Sequence, residues 1–169
     1  GIAAHGPFLL IEPAGRDRKN VNRNWPSENW PELISRLGQI TPLTIAQLDR
    51  PMADRIPGVV PLPHTSFRQA CAIVAQATLA ILPSGGLQIG AAAVHTPAVV
   101  LWGGCDAATN FGFPEHVALV DPDPATPCGG FVKPCPHCAA AWARLTPQIV
   151  ATAVQSELSR LAAAMLVHS

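Results

Sequence analysis

The alternation of apolar and polar positions divides the chain into short buried runs separated by amphipathic stretches. Phe8-Leu9-Leu10-Ile11, flanked by Pro7 and Pro13, is a continuous apolar run of strand length. Such a run predicts a strand buried on both faces. A polar stretch from Ala14 to Asn24 follows, and then Trp30, Leu33, Ile34 and Leu37 recur at helical spacing. Ser27 or Asn29 is placed to cap that helix, with Pro31 near its first turn. Leu43 to Leu48 predicts a second strand, and the proline-broken Val59 to Leu62 a third, at a sheet edge. Ser66 can cap a helix from Phe67 to Gln76. Strands four and five are predicted at Thr78–Leu82 and Ala98–Trp102, with a small-residue helix from Gly86 to Val94 between them. Val117 to Val120 predicts a weaker sixth strand, Asp121 to Ala139 a loop, and Pro147 to Val167 a last helix capped by Thr146.

Strands and helices alternate, and no tight hairpin signal such as Asn-Gly occurs. The pattern predicts an α/β fold: a Rossmann-like open parallel sheet of about six strands, with helices on both faces. The 169 residues suit a single domain. Hydrophobic residues make up 49% and charged residues 13%, which argues against disorder. Lys plus Arg and Asp plus Glu each total 11, so composition gives a nucleic-acid partner no support. No apolar run reaches the length of a membrane span; His95, Thr96 and Pro97 interrupt the longest. The N-terminus lacks the marks of a secretory signal, and the five cysteines are an odd number. Both features point to a reduced, cytoplasmic setting.

Ligands of open parallel sheets bind beyond the carboxyl ends of the strands. Three segments converge there: the loop after strand one, the turn Pro83-Ser84-Gly85-Gly86 after strand four, and the turn Gly103-Gly104-Cys105-Asp106 after strand five. The Ser84-Gly85-Gly86 turn opens a helix, whose first amides and dipole suit an anion. The same glycines could instead serve only to relieve a strained turn. The first loop carries Arg16, Arg18, Lys19 and Arg23, countercharge of the kind a diphosphate needs. Taken alone, it is also a solvated surface loop.

Four segments in this order resemble the C-terminal, donor-binding half of family 9 glycosyltransferases, the heptosyltransferase-like enzymes of GT-B architecture. They are Arg23-Asn24-Trp25-Pro26 with the helix from Trp30 to Ile34, Leu62-Pro63-His64-Thr65-Ser66-Phe67, Ser84 to Ala92, and Thr96 to Gly103. The resemblance implies a nucleotide-sugar donor, with ADP-heptose among the candidates. It implies an inverting transfer in cell-envelope polysaccharide, lipopolysaccharide or protein glycosylation by a bacterial enzyme. The donor contacts it implies are Gly15, Arg16, Lys19, Arg23, Thr65, Ser84, Gly85, Gly86, Gln88, Gly103 and Gly104, with Gln47 or Asp49 near the ribose. It also implies an N-terminal acceptor-binding partner domain that supplies the catalytic base, and work at the inner face of the bacterial inner membrane. No cofactor is expected for the chemistry. The chain departs from the family at two points: Pro83 replaces an acid and Gln88 a histidine. Those departures motivate the alternative of an inactive, glycosyltransferase-like module with a structural or interaction role. A third class, an NAD-dependent enzyme, would need a G-x-G-x-x-G turn after strand one, which is lacking.

Cys128 precedes the knuckle Cys135-Pro136-His137-Cys138 by seven residues. Thiolates so spaced can share a tetrahedral zinc or iron ion, with Cys105 or His137 as a fourth ligand. Free thiols, or a Cys128–Cys135 or Cys128–Cys138 disulfide, are the other readings of this loop.

Overall fold

Twelve elements account for the hydrophobic pattern. The computed structural model describes residues 6–13, 22–49, 54–63 and 65–167. In chain order they are β1 (Phe8–Ile11), α1 (Asn29–Ile40), β2 (Thr44–Leu48), β3 (Val60–Leu62), α2 (Phe67–Val74), β4 (Leu79–Pro83), α3 (Gly86–Ala93), β5 (Ala98–Leu101), α4 (Ala108–Phe111), β6 (Val117–Leu119), α5 (Pro136–Arg144) and α6 (Pro147–Val167). The strands form one sheet in the order β3-β2-β1-β4-β5-β6, and every pairing is parallel.

The two-residue period of each central strand divides its side chains between two cores. Leu9, Ile11, Leu79, Ile81, Val99 and Leu101 face one side, where Trp30, Leu33 and Leu37 of α1 and Val150 and Val154 of α6 cover them. Phe8, Leu10, Ala80, Leu82, Ala98 and Val100 face the other, under Ala70 and Val74 of α2 and Leu87 and Ala91 of α3. Strands buried on both faces need apolar residues at every position, which is why they read as unbroken runs. Between α2 and α3 the backbones come close. A Cβ on Gly90 would lie 2.7 Å from Cys71 Sγ, so the small-residue face of α3 is a packing surface.

Most expected elements are present to within a residue or two, and β3 is an edge strand as its proline predicts. The Ser66 cap is realised as a capping box with Gln69. Thr146 Oγ1 accepts the Ile149 amide at 3.4 Å, at the start of α6. Three details differ. The N-cap of α1 is Glu28, and no side chain caps that helix. The short α4 follows the expected Gly103–Asp106 turn, where no element was expected. The expected loop from Asp121 to Ala139 is cut short by α5, whose Trp142 and Ala141 are buried.

After β3, at one edge, the chain returns to the middle of the sheet and forms β4 beside β1. The carboxyl ends of β1 and β4 therefore flank the crevice where the direction of winding reverses.

Candidate functional site

Ser84 stands at the carboxyl end of β4, with its amide bonded to Leu101 O at 3.0 Å. It is 3% exposed, and its Oγ has no hydrogen-bond partner among the described residues. The cap of α3 is Gly85 rather than Ser84, and no side chain caps the helix. The opening amides of α3 thus keep their capacity for an acceptor. Gly85 has φ 169°, extended backbone open to any residue. A Cβ there would meet only Pro83 O, at 4.0 Å, and one on Gly86 only Phe67 Cε2, at 3.7 Å. Neither backbone strain nor packing against the described residues requires these two glycines.

The turn after β5 is built differently. A Cβ on Gly103 would fall 2.4 Å from the Trp142 ring, and one on Gly104 would fall 3.0 Å from the His137 ring. Those glycines admit α5 onto the end of the sheet. Internal packing accounts for them.

Arg23 and the β5 turn are joined directly. Arg23 Nη2 donates to Asp106 Oδ2 at 2.8 Å, and the guanidinium lies 4.8 Å over the Phe131 ring. Asp106 is 5% exposed, whereas the Arg23 side chain keeps 29% of its surface in solvent. The pair places a cation at the rim of the sheet's carboxyl end.

Asn22 organises the neighbouring loop. Its Nδ2 donates to Gly130 O (2.8 Å) and Lys133 O (2.7 Å), and its Oδ1 accepts the Cys135 amide (3.3 Å). Its backbone carbonyl accepts from Trp142 Nε1 at 2.9 Å and from Cys105 Sγ at 3.5 Å. A cleft of about 500 Å³ lies beside it, lined by residues that include Pro26, Pro134, Cys135 and Trp142. Ser84 and Gly85 are not among its walls.

The sulfurs of Cys128, Cys135 and Cys138 lie within 4.8 Å of one another. Tetrahedral thiolates at the usual metal–sulfur distance of about 2.3 Å sit a little under 4 Å apart, so the trio could hold a metal ion. Cys105 is outside this group. Burial, reinforced by Asp106, pushes its thiol up to about 11. Burial also raises the Cys138 thiol. The Cys138 backbone amide at the start of α5 lowers that of Cys135.

The remaining expected contacts are placed as follows. Gly15, Arg16, Lys19 and His64 lie outside the described residues. Thr65 Oγ1 is buried without a partner among the described residues. Gln88 is buried; its Nε2 donates to Phe111 O at 2.9 Å, while its Oε1 has no such partner. Gln47 holds the following loop through Asp54 O (2.9 Å) and the Ile56 amide (3.1 Å). Asp49 faces Arg55 at 3.9 Å. Asn22 and Phe131 carry much of this geometry without having been singled out from sequence, and Asp106 was named only as the end of the glycine turn after β5. Asp106, an acid directly after a glycine turn at a strand's carboxyl end, was the one with a readable signal.

The sheet order, the two covered faces and the helix opening at Ser84 define a doubly wound, Rossmann-like α/β domain. No protein-family model matches the sequence, and no curated protein matches it either. Among solved structures, the fold is that of the heptosyltransferases. The E. coli heptosyltransferase WaaC, solved with ADP-2-deoxy-2-fluoro heptose, aligns over 90% of this chain with a TM-score of 0.65 and 19% identity. TibC, an iron-containing dodecameric heptosyltransferase of enterotoxigenic E. coli solved with ADP-D-beta-D-heptose, aligns over 91% with a TM-score of 0.70 and 16% identity. A family 9 glycosyl transferase from Veillonella parvula aligns over 94% with a TM-score of 0.68 and 13% identity. The chain spans 44%, 45% and 49% of those three proteins, a little under half of each. Among the described residues, no helix is long and apolar enough to cross a membrane.

Proposed function

We propose that this chain is the nucleotide-sugar donor-binding half of an inverting glycosyltransferase. The observation that carries the reading is the β4–α3 turn. It combines an orphaned buried hydroxyl at Ser84, an uncapped helix start, and glycines at 85 and 86 that the described residues do not require. A diphosphate against that turn would accept from the α3 amides and Ser84 Oγ. Arg23, with Arg16 and Lys19 of the same loop, would supply countercharge. Thr65 would approach the base, and Gln88 would support α3 from below. ADP-heptose is the first donor to test, because ADP-heptoses occupy two of the similar structures.

In the reaction, an acceptor hydroxyl attacks the anomeric carbon and the nucleoside diphosphate departs with inversion. This half stabilises the charge developing on the leaving group. The base and the acceptor site belong to a second, N-terminal domain that closes on the same crevice. The setting is the cytoplasm, at the inner face of a bacterial inner membrane when the acceptor is a lipid-linked glycan. The thiol trio would hold a structural zinc or iron ion that fixes loop 128–135, and elemental analysis of protein prepared without chelator tests that part.

Titration calorimetry with ADP, UDP and ADP-heptose tests the donor reading. ADP-nucleotides should bind and the Ser84→Ala variant should bind them more weakly. The absence of heat with every nucleotide, in this chain and in a longer parent protein, would overturn it.

A further inference from the structure

We propose that Cys128 and Cys138 form a redox-active dithiol that exchanges with low-molecular-weight disulfides. The inference concerns the metal-free thiols, since an ion on the trio and a Cys128–Cys138 disulfide exclude one another, and it is independent of the donor reading. Their sulfurs are 3.3 Å apart, whereas Cys128 and Cys135 stand 3.8 Å apart. A disulfide needs about 2.05 Å, so closure asks for a movement of roughly 1 Å.

The two ends are suited to different steps. Cys128 is exposed and Cys138 is buried. Cys138 sits in the first turn of α5, held by the helix, and it cannot meet an external disulfide directly. Cys128 lies on the loop before α5, where its sulfur accepts the Gly130 amide at 3.4 Å. Gly129 next to it has φ +69° and nothing within 4 Å of where a Cβ would stand. The loop's one backbone tether at Cys128 is its amide, bonded to Gly104 O at 2.8 Å.

In the first step the Cys128 thiolate attacks one sulfur of a disulfide RSSR. A mixed disulfide forms on Cys128, and the first RS⁻ leaves and takes a proton. In the second, Cys138 gives up its proton and attacks the Cys128 sulfur, expelling the second RS⁻. Two protein thiols are oxidised to one disulfide, and RSSR is reduced to two RSH. Burial of Cys138 leaves this intramolecular step as its main route to oxidation. Cys71 and Cys105 serve as internal controls, because neither belongs to the trio.

The test is oxidation of the purified full chain with oxidised glutathione in EDTA, followed by acid quenching, alkylation under denaturing conditions and peptide mass mapping. Two of the five thiols should become protected, in a peptide pair linking position 128 to 138. Cys135→Ser should retain the link at an undiminished rate, and Cys138→Ser should accumulate a glutathione adduct on Cys128. Cys128→Ser, a change on an exposed loop, should lose the link while keeping its circular dichroism. Five fully alkylated thiols after oxidation would overturn the proposal. So would a link through Cys135 in place of Cys128, or a Cys128→Ser variant in which Cys138 is glutathionylated as fast as Cys128 is in the parent.

Discussion

At the scale of single residues, the pairing of Arg23 with Asp106 determines what a substitution will report. Removing Arg23 has two consequences. It deletes a partly exposed cation, and it leaves a carboxylate that is nearly buried without its partner. Hydrogen bonds to charged groups contribute about 1.5–3 kcal/mol, so Arg23→Ala should weaken ADP binding roughly 10- to 100-fold in calorimetry. It should also lower the urea midpoint, because unpaired buried charge is costly. Asp106→Asn keeps the shape and removes the charge, freeing Arg23 for a ligand. The double variant should therefore regain stability and still bind ADP poorly. Recovery of binding in the double variant would show that Arg23 acts only by packing. Arg23 was legible in the sequence because it follows a strand and precedes a Trp-Pro step. Asp106 as its partner was not, because 83 positions separate them and only the sheet order brings them together. Asn22 was hidden for a similar reason: its amide is matched to loop carbonyls more than 100 positions away.

Among elements, the two glycine turns look alike in sequence and differ in cause. After β5, Gly103 is glycine because Trp142 occupies the space a side chain would take. After β4, the space beside Gly85 is open. Gly103→Ala should cost about 1–3 kcal/mol, as overpacking usually does, and thermal unfolding will show it. Gly85→Ala should leave stability within about 0.5 kcal/mol, the range of surface changes remote from special features. The same change should still reduce ADP binding, because the methyl would stand where a phosphate approaches the amides. This separation also marks what periodicity could reveal. Strands and long helices announced themselves through unbroken apolar runs or i, i+3, i+4 spacing. The α5 helix did not. Its N-cap, Cys135, makes no side-chain cap bond, and its Cys-Pro-rich start resembles a loop. Its burial comes from docking on Gly103 and Gly104, contacts that no local pattern encodes.

For the whole molecule, zero net charge conceals a defined acid sensitivity. His116 is buried just before β6, and burial lowers its pKa below the ordinary value of 6.5, with Glu115 opposing the shift. For a base with a depressed folded pKa, the unfolded chain binds the extra proton first. Stability is therefore complete above about pH 6.5 and declines as pH falls from there toward the folded pKa. Asp121 behaves as a depressed acid. Its hydrogen bonds with Arg144, at 2.8 and 2.6 Å, hold its carboxyl below the usual 3.8. That contribution is present above the unfolded pKa and is lost only as pH drops through the folded one. The fold should accordingly weaken in two separate windows on acidification. Urea midpoints measured from pH 8 to pH 3 should show a first decline beginning near 6.5. His116→Gln should flatten this decline without changing the one below pH 4. Arg144→Gln should shift the lower window and leave the upper one intact. Both groups lie at the same sheet edge, because His116 and Asp121 flank β6, which among the described residues pairs only with β5. A first decline that survives in His116→Gln would assign it to the other histidines and remove β6 as the acid-sensitive edge of the fold.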